Sequence, residues 1–386
     1  MNSDRNRLGG WRRGGPSQGL GGPPEPPGSA GARGSPGERG GLAQGSFPAG
    51  IGAPGAIITL ILVTFFLVLI SVFGLSRNPG RTLWYFFLGP FGNLYAFGNM
   101  LNSAIPLIFG GLGVSVAMRA NSFNLGGEGQ IYAGAFVTTL IALALRPLGF
   151  TGALAGLAAG TFVAGLAAAF SGLCRAKWNT SELITSFLIS NALILVVDYL
   201  VTGPFLDPAT NLLSTRKLDG SFRLPLILPP SNLSAALFIA LAASLLTGVF
   251  LSRTRTGYEI RMTGSNELFA RYGGINTRRV MILAMFLSGA LYGLGGGLAV
   301  YGTYYGTVKG FSSGMGWNGL AVALIARLNP ALVIPAAVFF AWIGAGARIA
   351  MQNSDITAEI ALVVQGAVFF LVTSQALPNL FGKGRS

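Results

Sequence analysis

Between positions 121 and 130 the chain reads Asn121-Ser-Phe-Asn124-Leu-Gly126-Gly127-Glu128-Gly129-Gln130, a carboxylate and three amides set among glycines in an otherwise apolar neighbourhood. A charged side chain at the middle of a bilayer costs on the order of 3 kcal/mol on insertion scales, so a carboxylate in such a place is a candidate functional group. Glycine-interrupted apolar segments are also where transporters break their helices and turn backbone polar groups toward a cavity. Asn124, Glu128 and Gln130 are therefore candidates for a solute pathway, and Asn191, Trp317 and Asn318 join them from other apolar segments. Amides and a carboxylate pair with hydroxyls and ring edges, and an indole stacks on a ring. The competing reading of Asn124 and Glu128 is structural, with both satisfying the backbone groups of a broken helix. Asp198, late in another apolar run, reads equally as a buried charge or as a group near the membrane surface.

These residues need a scaffold, and composition says what kind. Of 386 residues 51% are hydrophobic and 10% are charged, against roughly 25% charged in ordinary soluble domains. The expected class is an all-α, polytopic integral membrane protein. A net charge of +14 would point to nucleic acid in a polar protein, but here most of the basic residues sit in short connections between apolar runs, the positive-inside pattern. No nucleic-acid partner is expected. The chain has no histidine and only Cys174 as cysteine, which removes imidazole catalysis, His or multi-Cys metal sites and an intrachain disulfide. A membrane enzyme is disfavoured on the same ground.

Residues 1–50 differ from the rest: Gly, Pro, Ser and Arg dominate, and six arginines face three acidic residues. Such a segment cannot bury a core and is expected to be a disordered cytoplasmic tail. It lacks the apolar run of a cleavable signal peptide. Residues 51–380 form the expected transmembrane domain. Windows of about 20 residues place spans near 54–75, 97–118, 124–145, 150–173, 183–203, 234–252, 279–299, 315–328, 331–349 and 357–378, giving about ten transmembrane or re-entrant helices. The 315–328 piece is too short for a straight crossing at about 1.5 Å per residue, which predicts a re-entrant or kinked element.

With the tail inside and the spans alternating, the inner side receives Arg119, Arg175, Lys177, Arg253, Arg255, Arg261, Arg271, Arg278, Arg279, Arg327, Lys383 and Arg385 in addition to the tail. The outer side receives Arg77, Arg81, Arg146, Arg216, Lys217, Arg223, Lys309 and Arg348. The bias places both termini in the cytoplasm. Gly152, Gly156 and Gly160, and again Gly289, Gly293 and Gly297, recur every fourth residue, a spacing that lets helix backbones approach closely inside one bundle.

The longest inner polar stretch runs from Arg253 to Arg279. Its middle can form a short helix, started by Ser265 or Asn266 with Glu267 in the first turn and stopped by Gly273 and Gly274. Leu268, Phe269 and Tyr272 would then be apolar contacts for a docked protein or for the lipid surface.

At this point the residues carry a resemblance. Asn124-Leu-Gly-Gly-Glu128-Gly-Gln130 resembles the Asn-x-Gly-x-Glu-Gly-Gln signature of permease subunits from ABC importers of nucleosides and simple sugars, within the larger group that includes ribose and branched-chain amino acid permeases. Gly257-Tyr-Glu-Ile-Arg261-x-x-Gly264-x-Asn266-x-x-x-Ala270-x-Tyr272-x-Gly274-Ile275 is similar to that family's coupling segment. Phe269 and Arg271 depart from the small residues more usual beside Ala270. Gly314-Met-Gly316-Trp317-Asn318-Gly319-Leu-Ala321-Val322-Ala323-Leu324, followed by Asn329-Pro330, resembles its second Gly-rich element. The likeness covers about residues 55–380.

The resemblance implies a transport subunit, not an enzyme. The chain contains no Gly-x-x-x-x-Gly-Lys-Ser/Thr phosphate loop, so ATP and Mg belong to a cytoplasmic ABC ATPase and no cofactor is expected here. Gly257, Arg261, Gly264, Asn266, Glu267, Phe269, Ala270, Tyr272 and Gly274 would couple to that ATPase. A second, non-identical permease subunit, an extracytoplasmic substrate-binding lipoprotein and a nucleoside or simple-sugar substrate complete the implied system in a bacterial cytoplasmic membrane. The alternative is an ion- or proton-coupled secondary transporter with Glu128 and Asp198 as coupling charges.

Overall fold

The computed structural model describes residue 62 and residues 65–74, 76–357 and 362–367. The tail at 1–50, both termini and much of the spans expected at 54–75 and 357–378 lie outside the described residues. The helices are α1 Phe65–Gly74, α2 Pro79–Phe87, α3 Leu94–Arg119, α4 Gly127–Ala144, α5 Phe150–Trp178, α6 Glu182–Thr202, α7 Ala236–Arg253, α8 Arg255–Ser265, α9 Glu267–Tyr272, α10 Thr277–Ala299, α11 Met315–Ile325 and α12 Pro330–Asn353. Among the described residues there is no β-strand beyond two isolated bridges, Ser214 with Val308 and Leu226 with Ser234.

Among the described residues six helices are long and apolar enough to cross a membrane: α3, α5, α6, α7, α10 with its extension to Tyr304, and α12. The expected windows at 124–145 and 315–328 also hold helices, but α4 opens on the polar Gly-Glu-Gly-Gln sequence and α11 has 11 residues. At about 1.5 Å of rise per residue α11 covers roughly half of a bilayer's hydrocarbon core.

The other half of that passage is a run of turns, with Tyr305, Gly310, Ser313 and Gly314 at positive φ. α10 ends in a π-helical turn, Val300–Tyr304, and the next residues descend along α4. Thr307 bonds Thr139 at 2.8 Å, the amide of Gly310 donates to the Tyr132 hydroxyl at 3.1 Å, and that of Gly314 donates to Glu128 at 2.8 Å. α11 then continues down α3. A Cβ on Gly319 would lie 2.8 Å from Cα of Gly110, and past its end Arg119 Nε donates to the Leu328 carbonyl at 2.9 Å. The kinked element expected from the sequence is thus a run of turns joined to a half-helix, with the junction at Glu128.

The glycine repeats do what their spacing predicts. A Cβ on Gly160 would sit 2.3 Å from the carbonyl oxygen of Gly134 in α4, and one on Gly289 2.4 Å from that of Ala164 in α5. α4, α5 and α10 therefore meet backbone to backbone. The same reason, dispersion between closely packed backbones in place of a hydrophobic drive, holds small-residue interfaces together in lipid. The cores flanking this contact include Met100, Phe109, Leu112 and Phe340 on one side and Ile131, Tyr132, Tyr292 and Tyr301 on the other.

Large apolar side chains remain exposed along α5 and α6, among them Phe162, Phe170, Leu188 and Leu195. In water such a surface would aggregate; facing lipid it is the ordinary exterior of a membrane bundle. The two ends of the bundle differ. One carries α8, α9, Arg119, Arg175 and the Arg327 turn; the other carries the π turn, Arg348 and the loop at Asp355. There Ser76 Oγ donates to Asp355 at 2.7 Å and the Arg77 amide at 2.6 Å, and the Ser76 bond, with the amide second, holds the Asp355 carboxyl below the usual carboxylate range.

Candidate functional site

The Asn121–Gln130 stretch folds into a knot of saturated hydrogen bonds. Asn121 takes the left-handed conformation at φ 54°, which asparagine tolerates better than most residues. Asn124 Oδ1 accepts from the Gly126 amide at 2.9 Å and from Gln130 Nε2 at 3.0 Å. Its Nδ2 donates to Gln130 Oε1 at 2.8 Å and to Ser288 Oγ of α10 at 2.9 Å. Asn124 and Gln130 are 2% and 1% exposed, and their paired amides fix the start of α4.

Three residues that the sequence reading did not single out hold the same knot from α6. Glu182, Ser186 and Ser190 recur every fourth position and lie on one helical face. Glu182 accepts from the Phe123 amide at 3.3 Å, Ser186 from Leu125 at 3.0 Å and Ser190 from Gly129 at 2.8 Å. Glu182 is also paired with Arg175. Their regular spacing in an apolar helix was the available signal.

Glu128 faces the other way and caps α11. One carboxylate oxygen accepts from the Gly314 amide and the other from the Gly316 amide, each at 2.8 Å. An N-terminal helix end presents unsatisfied donors and positive dipole, both met here by a carboxylate from a different helix. Glycine is required on both sides of the contact: a Cβ on Gly316 would fall 2.2 Å from the Glu128 nitrogen, and one on Gly127 2.4 Å from the Tyr292 ring.

A cavity of about 1130 Å³ opens at the Arg348 end of the bundle. Of the six residues proposed from sequence for the pathway, Asn318 lines it and the other five do not. Asn124 and Gln130 are buried in the knot and Glu128 is engaged at α11. Asn191 lies on the exposed face of α6 and donates to its own Phe187 carbonyl at 2.8 Å. Trp317 packs its ring 6.2 Å from that of Phe187 on the same outer face. The reason is helical phase: Trp317 and Asn318 are neighbours in sequence but point about 100° apart around α11.

The residues that do line the cavity come mainly from α3 and α12, with Thr303 and Tyr304 of the π turn. Asn102 Nδ2 donates to Thr303 Oγ1 at 3.0 Å, Asn99 Oδ1 accepts from the Asn232 amide at 3.1 Å, and Arg348 donates to Ser103 Oγ at 3.3 Å. Tyr85, Tyr304, Phe311 and Phe340 supply aromatic wall. Pro106 inside α3 has no N–H for the Asn102 carbonyl, which is freed beside the cavity. Single-turn π segments interrupt helices at functional sites often enough to make Val300–Tyr304 a further marker.

At the opposite end the polar stretch forms two helices where one was expected. Thr254 caps α8 by accepting from Gly257 at 3.0 Å, and Asn266 ends it while capping α9 by accepting from Phe269 at 3.0 Å. Gly264 is pressed against α3, where a Cβ would lie 2.0 Å from the Arg119 carbonyl, and Gly257 against α7, 2.1 Å from the Phe250 carbonyl. Ala270 is buried and anchors α9 to the bundle, while Leu268, Phe269 and Tyr272 are 66%, 61% and 91% exposed. Gly274 takes φ 80° after the helix stop, a conformation natural to glycine. Glu267 pairs with Arg271 across one turn, and Arg261 lies partly buried against the bundle.

A lipid-facing helical bundle with a broken passage, a polar recess at one end and a rigidly mounted helix with bare aromatics at the other defines a membrane permease. Residues 96–373 match the family described as branched-chain amino acid transport system / permease component. The chain is 37% identical over 301 residues to the probable riboflavin import permease protein RfuC of Treponema pallidum, spanning 78% of this chain and 80% of that one. It is 30% identical to the glucose ABC transporter permease protein TsgB13 of Haloferax volcanii, over 79% of this chain and 83% of that one. With the nucleoside ABC transporter permease protein NupB of Lactococcus lactis it shares 29% identity over 82% and 90% of the two chains. The chain belongs to this permease family and is a permease subunit of an ABC transport system.

Proposed function

We propose that this chain lines the path of a bacterial importer for a nucleoside or a similarly built solute that joins a flat ring to a polyol. The observation that carries this reading is the cavity of about 1130 Å³ with amides, a guanidinium and aromatic rings on its wall; ligand sites usually fall between about 300 and 1,000 Å³. Aromatic walls offer stacking to a planar aromatic ring that a simple sugar lacks. Relatives named for riboflavin and for nucleosides support the same class. In the assembled transporter ATP and Mg are held by a cytoplasmic ABC ATPase, which docks on α9 through Phe269 and Tyr272. A second, non-identical permease completes the pathway, and an extracytoplasmic lipoprotein delivers the solute. The basic α8–α9 end faces the cytoplasm, as do both termini, and the remaining spans bring the total to about ten.

Uptake of a labelled panel into proteoliposomes tests the substrate: guanosine, uridine and riboflavin are expected to compete with one another, and glucose to compete weakly or not at all. Competition by glucose alone would overturn the assignment. Uptake in the absence of an ATPase, driven by an ion gradient, would restore the secondary-transporter reading. Asn318→Leu should raise the uptake KM about fivefold, the value of one net hydrogen bond of about 1 kcal/mol, with ATP hydrolysis retained.

Docking is tested separately. Replacing Asn266 with Ala removes the α9 cap, worth about 1 kcal/mol, and should weaken co-purification of the ATPase while the membrane core stays intact. Phe269→Asp should do more, since a desolvated unpaired charge costs several kcal/mol. Unchanged ATPase binding and unchanged substrate-stimulated hydrolysis in the Asp variant would move α9 from coupling to a lipid-surface role.

A further inference from the structure

We propose that the recess between α5, α9 and α10 binds the phosphate-bearing headgroup of an anionic phospholipid, with an acyl chain lying along α5. The recess holds about 350 Å³ and is walled by Arg175, Lys177, Asn179, Glu267, Arg271 and Arg278. Two of its cations are already neutralised, Arg175 by Glu182 and Arg271 by Glu267. The other two are not: among the described residues Lys177 has only the Trp178 ring, 5.2 Å away, and Arg278 is exposed and in no ion pair, the Glu267 carboxylate on the same wall being paired with Arg271. Arg278 also sits in the first turn of α10, where the helix dipole adds positive potential. Two uncompensated cations and an asparagine amide around a concave pocket match a phosphate, which accepts from planar guanidinium and ammonium donors.

The surroundings select a lipid over a free anion. On α5 the exposed residues Leu166, Phe170 and Leu173 are spaced four and three apart, and Lys177 follows four residues later, so one helical stripe leads from the bundle's apolar exterior into the recess. Met281 and Ala176 add apolar floor beneath the charges. Trp178, 58% exposed, is the kind of residue that collects at the level of lipid headgroups. Because Glu267 and Arg271 belong to α9, an occupied recess bears directly on the helix assigned to ATPase docking, whether or not that docking assignment holds.

The test uses the full-length chain purified in detergent, with bound lipid counted by native mass spectrometry. One phosphatidylglycerol should be retained about tenfold or more tightly than phosphatidylcholine, given the contribution of each basic residue near an anionic surface. Lys177→Gln combined with Arg278→Gln should erase that preference, while Arg77→Gln combined with Arg81→Gln at the other end of the bundle should leave it in place. Phe170→Gln combined with Leu173→Gln should weaken retention, and millimolar inorganic phosphate should not displace the lipid. Unfolding temperature is followed for each variant, and Arg278→Lys, which keeps the charge, should behave as the parent chain. Equal retention of the two lipids, or an unchanged preference in the folded Lys177/Arg278 variant, overturns the site. Displacement by inorganic phosphate, with retention indifferent to Phe170 and Leu173, overturns the lipid and leaves a free-anion site.

Discussion

Glu128→Ala is expected to lower ATP-driven uptake at least tenfold and to lower the unfolding temperature of the purified chain. Both oxygens of this carboxylate accept backbone amides at the start of α11, from Gly314 and Gly316. Hydrogen bonds to a charged group are worth about 1.5–3 kcal/mol each, so losing both removes roughly 3 kcal/mol or more and leaves two donors without an acceptor. The half-helix would lose its fixed starting point at the junction of the broken passage. Glu128→Gln separates charge from shape: its amide presents one oxygen to one donor and an NH2 to the other, so an intermediate loss is expected. Uptake and thermal melting of both variants, measured together, decide the matter. Wild-type melting with abolished uptake in the Gln variant would mean that Glu128 acts through its charge in transport and that the capping role is secondary.

Gly134→Leu is expected to prevent assembly of the bundle altogether. A Cβ at this position would stand 2.5 Å from Cα of Gly293 and 2.9 Å from its carbonyl oxygen. These are backbone atoms of a long helix, which cannot swing aside as a side chain can. Overpacking a core usually costs about 1–3 kcal/mol, but here two helices must separate along a contact that also includes Gly160 and Ala164, and the loss should exceed that range. Gly248→Ala in α7 is the control: its nearest neighbour would be the Pro330 Cβ at 3.8 Å, and replacing a helical glycine with alanine should be neutral or favourable by about 0.5–1 kcal/mol. Monodisperse protein in detergent from the Gly248 variant and aggregate from the Gly134 variant is the expected pair of results. A folded Gly134 variant would show that α4 and α10 do not depend on that backbone contact.

The coupling segment shows how far local rules reach. Asn266 as cap, Glu267 in the first turn and Gly273 as stop were all legible, because capping and termination depend on a few consecutive residues. The existence of α8 was not: glycine is a poor helix former, and Gly257 and Gly264 sit inside this helix where α7 and α3 come within reach of the backbone. The pathway residues show the opposite limit. Asn124, Glu128, Gln130, Asn191 and Asn318 were chosen for polarity within apolar runs and Trp317 for its indole, and residue type alone cannot say which way a side chain points or what already satisfies it.

By itself the sequence determined what depends on composition, period and short motifs: an all-helical membrane bundle, the approximate position of each apolar helix between residues 97 and 349, the glycine faces that pack them, and the family. Hydrophobic length and spacing carry those facts because the bilayer demands internally satisfied backbone of a set length. Tertiary structure alone decided that Asn124 bonds Ser288, 164 positions away, that Glu128 caps α11 across 186 positions, and that the cavity is built from Asn99, Asn102, Thr303 and Arg348. Those groups are ordinary in their local windows. They become a site only where distant helices bring donors, acceptors and empty volume to the same place, and no local period of the chain encodes that meeting.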